Sequence, residues 1–99
     1  MKHISVAALK EQLEARPDLI LLDVREPDER NAFNIGGHFL PLGNILSFQT
    51  DEIDDLKSKE IYVYCHSGRR SLQACAFLEQ AGFEDLTNVD GGMKAWQEM

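Results

Sequence analysis

Residues 61–82 read IYVYCHSGRRSLQACAFLEQAG. The apolar and aromatic run Ile61–Tyr64 is strand-like. It passes directly into Cys65-His66-Ser67-Gly68-Arg69-Arg70-Ser71, and then into a helical pattern over Ser71–Ala81 with Leu72, Phe77 and Leu78 among its apolar positions. Gly82 falls where a helix commonly ends in a C′ glycine. A strand, a tight loop and a helix follow one another here, and the same alternation recurs along the rest of the chain.

Upstream, Ser5 is placed to N-cap a helix over Val6–Ala15, where Val6, Leu9 and Leu13 keep helical spacing. Pro17-Asp18 ends it. Leu19–Val24 is a continuous apolar run closed by a charge, the pattern of a buried parallel strand. Pro27 opens a short helix through about Asn34, and Gly36-Gly37 breaks it. His38–Leu42 reads as a short strand or extended loop, and Asn44–Lys59 as a second, acidic helical piece with Ile53 and Leu56 on its apolar side. The run Asp51-Glu52-Ile53-Asp54-Asp55 is a solvated helix face. Downstream come a strand at Leu86–Val89, a turn at Gly91-Gly92 and a closing helix at Met93–Met99, with Trp96 as its core anchor. This order predicts one α/β domain over residues 1–99, a central, mainly parallel sheet with helices on both faces. Ligands of such sheets bind beyond the carboxyl ends of the strands, and Cys65 stands at one of those ends.

Composition narrows the function. The chain has 99 residues, enough for a core without covalent staples, and a formal charge of −7 that opposes binding to nucleic acid or to an anionic membrane. The longest apolar run, Leu19–Leu22, is far too short to cross a bilayer, and Met1–Ser5 has no signal-peptide character, which predicts a cytoplasmic protein. Cys65 and Cys75 form neither a CxxC pair nor a zinc-ligand spacing, and His3 and His38 lack a second ligand at metal spacing, so no metal is expected. Cys75, between Ala74 and Ala76, reads as a buried structural thiol, with a resolving thiol for an oxidised Cys65 as the alternative.

The Cys65–Ser71 loop has a chemical reading of its own. A strand end and a helix N-terminus aim backbone N–H groups and the positive end of a helix dipole at one point. Gly68 allows the positive φ that an anion-binding nest requires. Arg69 and Arg70 add fixed positive charge near the sulfur, and Ser71 can cap the helix or donate inward. All of these favour a thiolate over a thiol, giving a nucleophile in a cradle that also receives an anionic substrate. His66 is a candidate acid or donor ligand. Asp23 and Arg25 either enter the site or brace the sheet end as an ion pair.

Three segments, Leu22-Asp23-Val24-Arg25-Glu26-Pro27, Cys65–Ser71 and Asp90-Gly91-Gly92-Met93-Lys94-Ala95-Trp96, together resemble the signature of the rhodanese-like single-domain sulfurtransferases, in order and in spacing. The resemblance implies a small α/β fold, no cofactor, and a catalytic cysteine that takes the outer sulfur of thiosulfate or a related small anionic donor. The resulting persulfide passes its sulfur to cyanide, a thiol or a protein thiol. It further implies that Arg70 helps neutralise the donor's sulfonate end and the persulfide, and that the Asp23–Arg25 pair belongs to the scaffold. Two departures stand out. His66 occupies a position that often holds arginine, and Pro41 lies one residue further along Gly37–Gly43 than the family pattern has it.

Two other classes compete. A cysteine phosphatase or arsenate-reductase-like enzyme shares the cradle physics, but the protein tyrosine phosphatase pattern Cys-x5-Arg needs arginine where this chain has Ser71. A non-catalytic rhodanese-like binding module would normally lose the cysteine, which is present here with its full loop.

Overall fold

The computed structural model describes residues 1–99. Its centre is a five-stranded, wholly parallel sheet made of β1 (Lys2–Ser5), β2 (Ile20–Asp23), β3 (His38–Phe39), β4 (Glu60–Tyr64) and β5 (Asp85–Asp90), in the order β1-β5-β4-β2-β3. The helices are α1 (Val6–Ala15), α2 (Pro27–Ala32), α3 (Leu42–Leu46), α4 (Arg69–Gln80) and α5 (Gly92–Gln97), with a 3₁₀ helix at Asp51–Leu56.

Side chains alternate across β4, and each face builds its own core. Ile61, Val63 and Cys65 point into one cluster with Leu22, Ile45, Ile53, Leu56, Ala74, Cys75 and Leu78, under α3, the 3₁₀ helix and α4. Tyr62 and Tyr64 point into the other with Val6, Leu9, Leu21, Val89 and Met93, under α1 and α5. Burial on both faces explains why β2 and β4 read as unbroken apolar runs rather than as alternating strands. Each fully buried Leu or Val is worth about 1.5–3 kcal/mol, so the two clusters supply most of the drive to fold.

Several predicted elements hold with small shifts. Ser5 caps α1, its Oγ accepting from Ala8 N–H at 3.1 Å. At the end of α4, Phe83 N–H donates to Leu78 O and Gly82 N–H to Glu79 O, the paired bonds of a glycine-terminated helix. Three expectations need correction. Lys2–Ser5, expected to carry no element of its own ahead of the helix capped by Ser5, is a strand: it pairs with β5 at the sheet edge, where its residues are mostly exposed, so no apolar pattern announces it. The predicted helix over Asn44–Lys59 is two short pieces. The chain turns at Phe48, which has φ 55°, and the 3₁₀ helix bends at Ile53, so that Ile45, Ile53 and Leu56 can all reach one core. Trp96 packs against the core but is only partly buried, and Met93 is the side chain of α5 that sits fully inside.

At the carboxyl end of β2 lies the most heavily committed polar group of the fold. Asp23 is fully buried and accepts from Arg25 through its backbone N–H (3.0 Å), Nε (2.9 Å) and Nη2 (2.9 Å), and from Arg30 Nη1 at 3.3 Å. Arg25 also donates to Phe33 O and lies over the Tyr64 ring, while Arg30 donates to Gly37 O. Removing one partner of such a pair strands a buried charge. Asp23→Ala should therefore lose about 3–5 kcal/mol in urea denaturation, and adding Arg25→Met should restore part of it. A single mutant as stable as the wild type would show that the pair braces nothing.

Candidate active site

The site begins where β4 stops. Past Tyr64 the chain has no strand partner for the next carbonyls, and the start of α5 takes them: Met93 N–H donates to Cys65 O at 2.9 Å and Lys94 N–H to His66 O at 2.8 Å. Gly92 makes that approach possible. At its φ of 56°, a Cβ would lie 2.5 Å from Cys65 O and 2.6 Å from His66 O. The loop is thus clamped from below by the Asp90–Trp96 segment.

Its other end is set by Gly68, which takes φ 97° as the N-cap of α4 and lies within reach of Gly91. The helix starts at Arg69, two residues before the predicted Ser71. Ser71 is therefore not the cap. It lies inside the first turn and faces inward, fully buried, and the Cys65 thiol donates to its Oγ at 3.4 Å. Gly68 N–H and Ser71 N–H both donate to Cys65 Sγ, at 3.1 and 3.3 Å. The N–H groups of Ser67, Arg69 and Arg70 meet no protein acceptor. The loop is a ring of amide donors around one sulfur, closed by a hydroxyl that can reverse its hydrogen bond when the sulfur is ionised.

The remaining predicted residues divide. His66, Ser67 and Arg69 are exposed at the rim. Asp23 and Arg25 stand beside the loop as the buried pair described above, with Arg25 also lining a cavity of about 370 Å³ together with Glu29, Ala32, Phe33, His66 and Gln97. Arg70 is not a free cation over the sulfur. Its Nη1 and Nη2 donate to Glu29 Oε1 and Oε2, both at 2.7 Å. The Glu29 hydrogen bond is the main cause that raises the Arg70 pKa, and the same bond holds the Glu29 carboxyl down at about 2. Sequence reading missed Glu29, because nothing local links α2 to α4. It also missed Asn88, which donates through Nδ2 to Gly68 O at 3.4 Å and to Asp90 Oδ1 at 2.9 Å.

Cys75 is fully buried on α4, and burial pushes its pKa up to about 12. That places it as a core thiol. His3 bonds Asp90 through Nδ1 at 2.8 Å, and no three His, Cys, Asp or Glu side chains cluster as metal ligands.

A family model described as the rhodanese-like domain matches residues 5–99. The chain belongs to the rhodanese-like family. Within it, a putative sulfurtransferase, YtwF, of Bacillus subtilis is 39% identical over 98% of this chain and 91% of its own length. The thiosulfate sulfurtransferase GlpE of Pseudoalteromonas translucida is 35% identical over 97% of this chain and 89% of its own. The crystal structure of a rhodanese-like domain protein from Staphylococcus aureus superposes with a TM-score of 0.82 at 29% identity, covering 97% of this chain and 91% of that one. The parallel sheet with its cysteine loop beyond β4 is therefore the rhodanese-like architecture. No helix is long and apolar enough to cross a membrane.

The depressed Glu29 carboxyl has a sign that can be tested. A carboxylate whose pKa falls on folding stabilises the native state above its ordinary value near 4.5, and that contribution is lost as pH drops toward about 2. Urea titrations at pH 6 and pH 3 should show a smaller acid-induced loss in Glu29→Gln than in the wild type. Equal losses would mean that the Arg70 pair contributes nothing to stability.

Proposed function

We propose that this protein is a sulfurtransferase that carries sulfane sulfur as a persulfide on Cys65. It takes the sulfur from thiosulfate or a related small anionic donor and delivers it to a nucleophilic acceptor, cyanide or a thiol, including the thiol of another protein. The observation that carries this reading is the ring of amides. Gly68 and Ser71 already bond the sulfur, and Ser67, Arg69 and Arg70 keep donors open for one more anionic atom. The names of the related proteins, the putative sulfurtransferase YtwF and the thiosulfate sulfurtransferase GlpE, support it.

The chemistry follows from these contacts. Cys65 as thiolate attacks the outer sulfur of the donor, the S–S bond of the donor breaks, and sulfite (or a thiolate from an organic donor) leaves with the bonding pair. The new terminal sulfur is an anion, and the amide donors of the loop stabilise it as they would an oxyanion. An acceptor nucleophile then attacks that sulfur, and Cys65 leaves as thiolate into its original hydrogen bonds. His66 and Ser67 stand at the rim, where donor and acceptor enter. Asp23 and Arg25 keep the floor rigid. Both cysteines are free thiols, which suits a reducing compartment such as the cytoplasm.

Incubation with thiosulfate should leave Cys65 heavier by one sulfur atom, and cyanide should discharge the adduct, as read by intact mass and peptide mapping. Cys65→Ser should lose the adduct and the activity completely while remaining folded. Cys75→Ala should keep most of the activity, since that thiol is buried and unreactive. A phosphorylated Cys65 after exposure to an aryl phosphate, or a sulfur adduct on Cys75 alone, would refute the assignment.

A further inference from the structure

The loop brings two arginines to the rim of the cysteine site, yet the anion-binding potential there is smaller than that count suggests. Arg70 has both terminal nitrogens engaged by Glu29. Arg25 is neutralised by Asp23, and Arg30 shares the same carboxylate. Arg69 is exposed. Glu29 is the carboxylate that lines the cavity beside His66.

The Glu29 carboxylate is also held in place. It stands in the first turn of α2, where Oε1 accepts a third hydrogen bond from Glu26 N–H at 3.1 Å. Three donors on two oxygens leave little freedom to swing aside for an incoming anion. Protonation does not relieve the charge either, because the carboxyl is held at about 2. An anionic donor approaching the cysteine therefore meets a fixed negative charge whose partner cation is already matched.

We propose that Glu29 is a specificity-determining residue which, by occupying both terminal nitrogens of Arg70 beside the Cys65 loop, disfavours dianionic sulfur donors such as thiosulfate and favours donors with one negative charge on sulfur, such as organic persulfides. The proposal rests on the sulfur-transfer reading and narrows its donor. The exchange balances for both donors. Cys65 thiolate attacks the terminal sulfur of the persulfide, the donor S–S bond breaks, the donor's inner sulfur leaves as a thiolate, and the negative charge of the persulfide reappears on Cys65. With thiosulfate the leaving group is sulfite, and one more negative charge must pass the same carboxylate. Repulsion scales with the donor's charge, so the penalty on thiosulfate is twice that on a monoanion in free energy.

The test measures second-order loading of Cys65 at neutral pH by intact mass, with thiosulfate and with 2-hydroxyethyl persulfide, whose organic part is uncharged. Glu29→Gln should raise loading by thiosulfate about tenfold and by the persulfide about threefold, the ratio expected when an effect scales with charge. Glu29→Asp, which keeps the charge, should retain the wild-type preference. In the wild type, added salt should speed thiosulfate loading more than persulfide loading, because it screens a repulsion. That measurement needs no variant and stands even if Glu29→Gln folds poorly. Slower or unchanged thiosulfate loading in a folded Glu29→Gln, or salt that slows thiosulfate loading in the wild type, would overturn the proposal while leaving sulfur transfer intact. Wild-type protein that loads sulfur from neither donor would instead remove the sulfur-transfer reading, and this inference with it.

Discussion

Two carbonyls decide the geometry of the cysteine loop. Cys65 and His66 leave β4 with oxygens that no strand can satisfy, and buried backbone oxygens must be paired. The amides of Met93 and Lys94 pair them, at the cost of requiring a residue without a side chain at Gly92. This contact joins the end of one strand to the start of the last helix across the sheet. It fixes the carbonyl side of the loop, so that the opposite side, lined with N–H groups, turns inward to the sulfur. The hydrogen bonds to Sγ from Gly68 and Ser71 are a consequence of that orientation.

Charge is arranged by the same economy. The chain carries seven more acidic than basic side chains, yet four of its arginines gather at the carboxyl end of the sheet. Asp23, buried completely, takes two of them as structural partners. Glu29 takes the third. The fourth, Arg69, is exposed and has no carboxylate partner, and what else surrounds the sulfur is fixed backbone dipole. Backbone donors of this kind are preorganised and need no reorganisation when charge appears on the sulfur. A site built on amides offers an anion fixed dipoles in place of a counter-ion, which is what the proposed sulfur transfer calls for.

The legible part of the sequence was the part in which local pattern and tertiary role agree. The apolar runs ending at Val24 and Tyr64 declared buried parallel strands, and both are central in the sheet. Gly68 and the cysteine declared the loop. The failures share one cause. β1 is an exposed edge strand whose only reason to exist is the partner β5, which lies at the far end of the chain. The Glu29–Arg70 pair spans α2 and α4, and the break at Phe48 is imposed by the need to bring Ile45 and Ile53 to one core. The start of α4 moved to Arg69 because a glycine with positive φ, not the serine, ends the loop, which freed Ser71 for the sulfur. Long-range pairing left no periodic trace, so no window of residues could have shown it.

The two cysteines make the closing physical point, since both are entirely buried and both belong to the same core cluster. Burial alone makes a thiol inert, and at Cys75 it does, pushing the pKa up to about 12 with no hydrogen-bond donor to oppose it. Cys65 differs in its company: two amide N–H groups at 3.1 and 3.3 Å, a serine hydroxyl at 3.4 Å, and the first turn of a twelve-residue helix. The two amides donate to the sulfur, and the hydroxyl accepts from it. The contrast is therefore one of hydrogen-bond donors rather than of exposure. For the sulfur transfer proposed above, the same arrangement keeps the sulfur out of bulk water with its amide donors in place.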